Sequence, residues 1–220
     1  GSSKNVILVG TGSEESVERS EVRLEAEAAA ATSVAGLASP LGNTAASGEI
    51  IYMAPLAIPG GQEKPSLLRG VTEKALLVHH RVRVLEGTFP RTGEVMVGRL
   101  MHRRFGVPAE DFFPGKTLLF GRDEFRISGV FEASGTVLES EAWFDRNDLA
   151  TITQRDSLSA VYLRLDKAEF DDAHVFTLQR NDLELSAIPE DQYYDKLSTF
   201  YAPIRVMIWI TAALVAAGAL

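Results

Sequence analysis

Gly10-Thr11-Gly12-Ser13-Glu14-Glu15 stands between a short apolar run and a helical pattern, where a glycine-rich loop would cradle the phosphates of a dinucleotide. That fingerprint needs a third glycine where Glu15 stands, and the carboxylates of Glu14 and Glu15 would repel phosphate. A GxxxxGK motif followed by Ser or Thr is also missing, so the chain carries no recognisable ATPase of its own. The imidazoles are His79, His80, His102 and His174; none forms an i,i+4 pair and there is no HExxH, which leaves no metal-ligand pattern. If extended, His79 and His80 point to opposite faces, as exposed strand-edge residues would. Glu139-Ser140-Glu141 and Asp145 lie beside aromatic residues, a setting that can separate carboxyl pKa values for acid–base work. Alternation instead places Glu139 and Glu141 together on the solvated face of a strand. The serines include no GxSxG elbow, Ser157 and Ser159 have no base near them in sequence, and there is no cysteine to act as nucleophile or thiolate ligand. Asp171, Asp172 and Asp191 read as helix N-terminal or solubilising charges. No catalytic residue, metal site or cofactor is therefore expected.

Composition narrows the partners. The 22 basic and 30 acidic side chains give a net charge of -8, without a basic stripe, which argues against nucleic-acid binding. A chain of 220 residues has room for two lobes, each with its own core. Gly1-Ser2-Ser3 leads directly into Lys4 and a strand-like run, without the charged and apolar regions of a signal peptide.

The elements that would position these residues alternate in texture. Val6-Ile7-Leu8-Val9 reads as a central strand buried on both faces, followed by a helix that Ser16 or Ser20 could cap and that ends before Gly36 and Pro40. Residues 49–58 form a second strand, with Pro55 near an edge or bulge. From Pro59 to about Arg155 short strands dominate: 66–71, 80–85, 94–97, 116–120, 125–131 and 141–144. Phe120 to Phe125 makes a hairpin, and Leu100 to Phe105 a short helix stopped by Gly106. Residues 160–165 resume strand alternation, Asp166 and Glu169 make a capping box, and residues 183–188 alternate again.

Setting the middle aside, the outer segments spell βαβ and then βαβ. The fold class expected is α+β: a split ferredoxin-like sandwich with a β-rich insertion between its halves. The divisions are 4–60 with 156–190 for the outer lobe, 61–155 for the insertion, 191–203 for a stalk and 204–220 for the start of a transmembrane helix. From Val206 to Leu220 no residue is charged, and Trp209 sits near the beginning of the run, where interfacial aromatics collect. Fifteen residues reach only about 22 Å as a helix against a core of ~30 Å, so the polypeptide is expected to continue. A buried terminal core helix would carry the same pattern.

Arg69-Gly70-Val71, Glu86-Gly87, GEVMVG (93–98), Phe105-Gly106, Gly115-Lys116-Thr117-Leu118, FGRDEFRISGVFEASG (120–135), ESEAWFD (139–145) and Asp191-Gln192-Tyr193-Tyr194 occur in that order before the apolar run. Together they resemble the extracytoplasmic region of MacB and FtsX-like ABC transporter permeases, over nearly the whole chain. The resemblance implies a non-catalytic periplasmic domain between the first two of four membrane helices. It implies a porter-like outer lobe and an inserted lobe of the kind called the sabre. The implied partners are a cytoplasmic ABC ATPase, a second permease subunit, the membrane, and a periplasmic adaptor or cargo protein. ATP-driven closure would reach the lobes through stalk helices, a mechanotransmission that moves or releases a substrate outside the inner membrane. On that reading the stalk aromatics Tyr193, Tyr194, Phe200 and Tyr201 couple motion; packing beneath the outer lobe is their alternative role. A membrane-tethered binding module or hydrolase is the rival reading, and a soluble protein with a buried last helix a third.

Overall fold

The computed structural model describes residues 4–196. The apolar run of β1 (Asn5–Gly10) is buried along its whole length, as a central strand should be. After α1 (Glu25–Ser33) comes the long β2 (Ala46–Leu56), and the β-rich middle follows: β3 (Lys64–Val71), α2 (Ala75–Val78), β4 (Arg83–Gly87), β5 (Glu94–Gly98), α3 (Met101–Phe105), β6 (Thr117–Phe120), β7 (Asp123–Glu132) and β8 (Ala142–Asp145). Then α4 (Arg146–Thr153), β9 (Ala160–Arg164), α5 (Phe170–Gln179) and β10 (Leu185–Pro189) return to the starting strands, and a last helix, α6 (190–196), begins at Glu190.

The strands form one ten-stranded path, β10-β1-β9-β2-β3-β8-β5-β7-β4, with β6 also on β7. Its joint is β2. Ala46 to Glu49 pair with β9, and Ile50 to Leu56 pair with β3, so a single strand carries the sheet from the outer βαβ halves into the middle. The molecule is a mixed α+β fold, as the periodicities predict. Apolar side chains follow the sheet through that joint: one cluster runs from Val6 and Leu8 through Ile50 and Leu68 to Val95, Phe125 and Phe144. The opposite face carries Ile7, Val9, Ile51, Val78, Tyr162 and Tyr193.

Several elements keep their expected bounds. Gly121, at φ 62°, turns the β6–β7 hairpin with Phe120 opposite Asp123, and Gly106, at φ 69°, stops α3. Three expectations are corrected. The first helix is not capped by Ser16 or Ser20. Ser20 Oγ instead accepts the Gly10 N–H at 2.9 Å, Val22 bridges Leu158, and α1 starts only at Glu25. The strand expected from His80 starts at Arg83, because α2 and its His79 cap occupy the preceding turn. The capping box falls on Glu169 and Asp172 rather than Asp166 and Glu169, because the N–H groups of Asp166, Lys167 and Ala168 all donate to the Gly36 carbonyl.

No helix among the described residues is long and apolar enough to cross a membrane, and the expected span at 204–220 lies outside them.

Candidate functional site

Glu49 occupies the point at which β2 changes partner. Its side chain is fully buried, so its charge needs partners supplied by other elements. Arg69, two residues from the end of β3, donates to it through Nη1 at 2.6 Å. The same guanidinium makes a two-pronged contact with Glu141, Nε to Oε2 at 2.7 Å and Nη2 to Oε1 at 2.9 Å. Trp143 Nε1–H donates to Glu141 at 2.9 Å, so that carboxylate is also satisfied from β8. His79, at the end of α2, places Nε2 2.9 Å from Glu49 and Nδ1 4.0 Å from Glu190, the first residue of α6. Aromatic rings enclose the group. The Arg69 guanidinium lies 5.4 Å from the Tyr162 ring and 6.0 Å from that of Trp143, and the His79 ring stands 5.1 Å from Tyr162.

The electrostatics follow from this crowding. Burial works against the charge on Glu49, yet His79 and Arg69 beside it hold its carboxyl at about 2. Burial also opposes the Arg69 charge, and Glu141, Tyr162 and Glu49 outweigh it, so the guanidinium keeps its proton more firmly than usual. The Tyr162 and Tyr194 hydroxyls are pushed up by burial and stay protonated. Neither of two surface clefts is lined by a residue of this hub. Its groups are occupied with one another, an arrangement suited to holding elements together rather than to attacking a substrate.

Of the residues singled out as coupling candidates, two belong to this region. Tyr193 is buried against Ile7, Val17 and Ile51, and its hydroxyl accepts the Val17 N–H at 3.3 Å. Its ring meets Tyr194 edge-on at 5.4 Å, which brings Tyr194 into the field of the Arg69 guanidinium. Phe200 and Tyr201 lie outside the described residues.

The other candidates scatter. Glu139 and Glu141 are not on a solvated face: both are buried, Glu139 in a short 3-10 turn bound by Arg99 Nε at 2.8 Å, which holds its carboxyl below the usual range. Asp145 caps α4 by accepting the Asn147 and Asp148 N–H groups. His79 is buried, His80 is exposed, His102 contacts the Val107 carbonyl and His174 stacks on Phe170. Among the described residues no group of three or more metal-ligating side chains converges. The Gly10–Glu15 loop borders an open cleft of about 980 Å3 whose charged lining mixes Arg19 and Arg23 with Glu21, Glu25, Asp156 and Glu184.

Sequence reasoning missed Glu49, Arg69 and Glu190. The available signal was a lone charge inside apolar strand patterns: Arg69 between Leu68 and Val71, and Glu49 just before Ile50 and Ile51.

The periplasmic region of MacB from Actinobacillus actinomycetemcomitans superposes with a TM-score of 0.64 at 11% identity, covering 89% of this chain and 92% of that one. The chain has the MacB periplasmic fold. The extracellular domain of YknZ, a noncanonic ABC-type transporter from Gram-positive bacteria, matches with a TM-score of 0.61 at 16% identity, covering 84% of this chain and 99% of that one. No protein-family model matches the sequence, and no curated protein is similar to it at the sequence level. The likeness to the MacB region is therefore one of fold, and the hub described above is read from this chain's own residues.

Proposed function

We propose that this chain is the extracytoplasmic domain of an ABC transporter permease subunit, without catalytic activity, that passes motion from a cytoplasmic ATPase to export or release of a substrate. The observation that carries the reading is where the chain enters and leaves the sheet. Val6 on β1 pairs with Pro189 on β10, so the first strand begins beside the point where α6 departs, and α6 starts from the buried hub through Glu190. A domain suspended between two membrane spans needs this placement. The solved structures of the same fold, a periplasmic region and an extracellular domain of transporters, support it.

On this reading the outer strands, whose order β10-β1-β9-β2 is that of a ferredoxin-like sandwich, form the porter-like lobe at 4–60 and 156–190. Residues 61–155 form the sabre-like lobe. The stalk runs over 191–203 and the membrane helix starts at 204, beside a second permease subunit and a periplasmic adaptor or cargo protein. Tyr193 and Tyr194 seat the stalk, and Glu190 links it to the sheet.

The test uses a complete transporter in proteoliposomes. Glu190→Gln and Tyr194→Phe are expected to leave ATP hydrolysis and domain melting close to wild type while transport falls at least fivefold. Unimpaired transport in both variants, or loss of the folded domain in both, sinks the coupling role. Two further hydrophobic spans beyond Leu220 are also expected; a short polar end there would favour the tethered module.

A further inference from the structure

We infer that the outer βαβ half and the inserted β-rich part are welded into one rigid body by polar clamps on both faces of β2. The inference rests on the coupling role proposed above and names how the domain that passes the motion is stiffened. Gly48 and Glu49 are consecutive in an extended strand, so their side-chain directions point to opposite faces of the sheet. On the Glu49 face lies the hub already described.

On the Gly48 face a second set of ions meets. Glu27 of α1 is buried and accepts from Arg146 of α4 at 2.6 Å and from Lys74, next to α2, at 2.8 Å. Arg146 reaches on to the Gly48 carbonyl at 3.0 Å. A Cβ at position 48 would stand 2.6 Å from Leu158 Cδ1 and 2.9 Å from Glu27 Oε2, so the glycine admits the ion pair against the strand. One carboxylate from the outer half thus holds two cations from the insertion, directly over the strand that joins them.

The return connection is tied as well. Arg155, after α4, donates to the Ser20 carbonyl at 2.7 Å and to Ser159 Oγ at 3.0 Å, while Ser159 Oγ accepts the Ile51 N–H at 2.9 Å. Bending the insertion about β2 would separate Arg146 from Glu27 on one face or Arg69 from Glu49 on the other. It would also open an apolar cluster that is continuous through the joint. Neither direction of bending is left free.

The absence of cysteine makes the measurement direct. Spin labels at Gln179→Cys on α5 and Arg122→Cys in the β6–β7 turn, both exposed positions, report the distance between the two parts. The isolated 220-residue chain is expected to give one narrow distribution, and Arg146→Ala to broaden it about twofold. Glu27→Gln, which keeps the shape of the side chain, guards against a variant that unfolds and is expected to broaden it as well. A broad or bimodal distribution in the parent chain overturns the inference, and so does a folded Glu27→Gln chain as narrow as the parent. Because the isolated chain carries this measurement, its outcome is separate from the transport assay. A rigid domain that fails to couple ATP hydrolysis to transport would refute the coupling role alone.

Discussion

Arg69 is the residue on which the hub turns, because a single guanidinium neutralises carboxylates from two other segments of the sheet. Replacing it with Met leaves Glu49 and Glu141 buried without their cation, and urea unfolding is expected to show a loss of about 3–5 kcal/mol. Adding Glu49→Leu and Glu141→Leu is expected to recover only part of this, since Trp143 and His79 then lose their acceptors. The pH dependence has a defined sign. Glu49 titrates near 4.5 in an unfolded chain and at about 2 in the fold, so its contribution is complete above 4.5 and fades as the pH falls towards 2. The full effect is on the order of 3 kcal/mol, and a melting-temperature series from pH 6 to pH 2 should be flatter for Glu49→Gln. Little of this was legible in the sequence. Glu139 and Glu141 were visible as a carboxylate pair but assigned to water, because alternation says which residues share a face and not which face is covered. Their cations stand 40 and 72 positions away along the chain, at Arg99 and Arg69.

At the scale of elements, local rules succeeded where the chain's own hydrogen bonds decide the outcome. The glycines at 106 and 121 stop a helix and turn a hairpin because both adopt positive φ. The strand patterns of the middle region were recovered within about three residues, since apolar runs between glycines leave little choice. The first helix failed for the opposite reason. Ser16 and Ser20 have the chemistry of caps, but Ser20 is claimed by the Gly10 N–H, a contact across the end of β1 that no local window contains. Asp145 shows how a suspected acid can be a structural one. Asp145→Ala removes the acceptor for two N–H groups of α4 and is expected to cost about 1 kcal/mol in thermal unfolding, with the sheet unchanged by circular dichroism. Tyr193→Phe deletes the acceptor for the Val17 N–H and is expected to cost about 1 kcal/mol, also read by urea unfolding, while preserving the packed ring.

For the whole molecule, the sheet's continuity matters more than the count of its strands. Composition changes near residue 60, and β2 pairs with β3 across that point over seven register positions. Periodicity can reveal both strands but cannot reveal that they share a ladder. The β1–β10 pair gives the molecule a direction of mechanical weakness. Val6 faces Pro189 at the open end of the ladder, where β1 enters the sheet and β10 leaves it. Drawing the entry of β1 away from the exit of β10 would therefore peel that ladder rung by rung from its open end. A shove on both along the strand axis would spread its load over the rungs of β10, β1 and β9 together. The architecture should yield to being tugged open at its mouth and resist a thrust from below, making it a better pushrod than a tether.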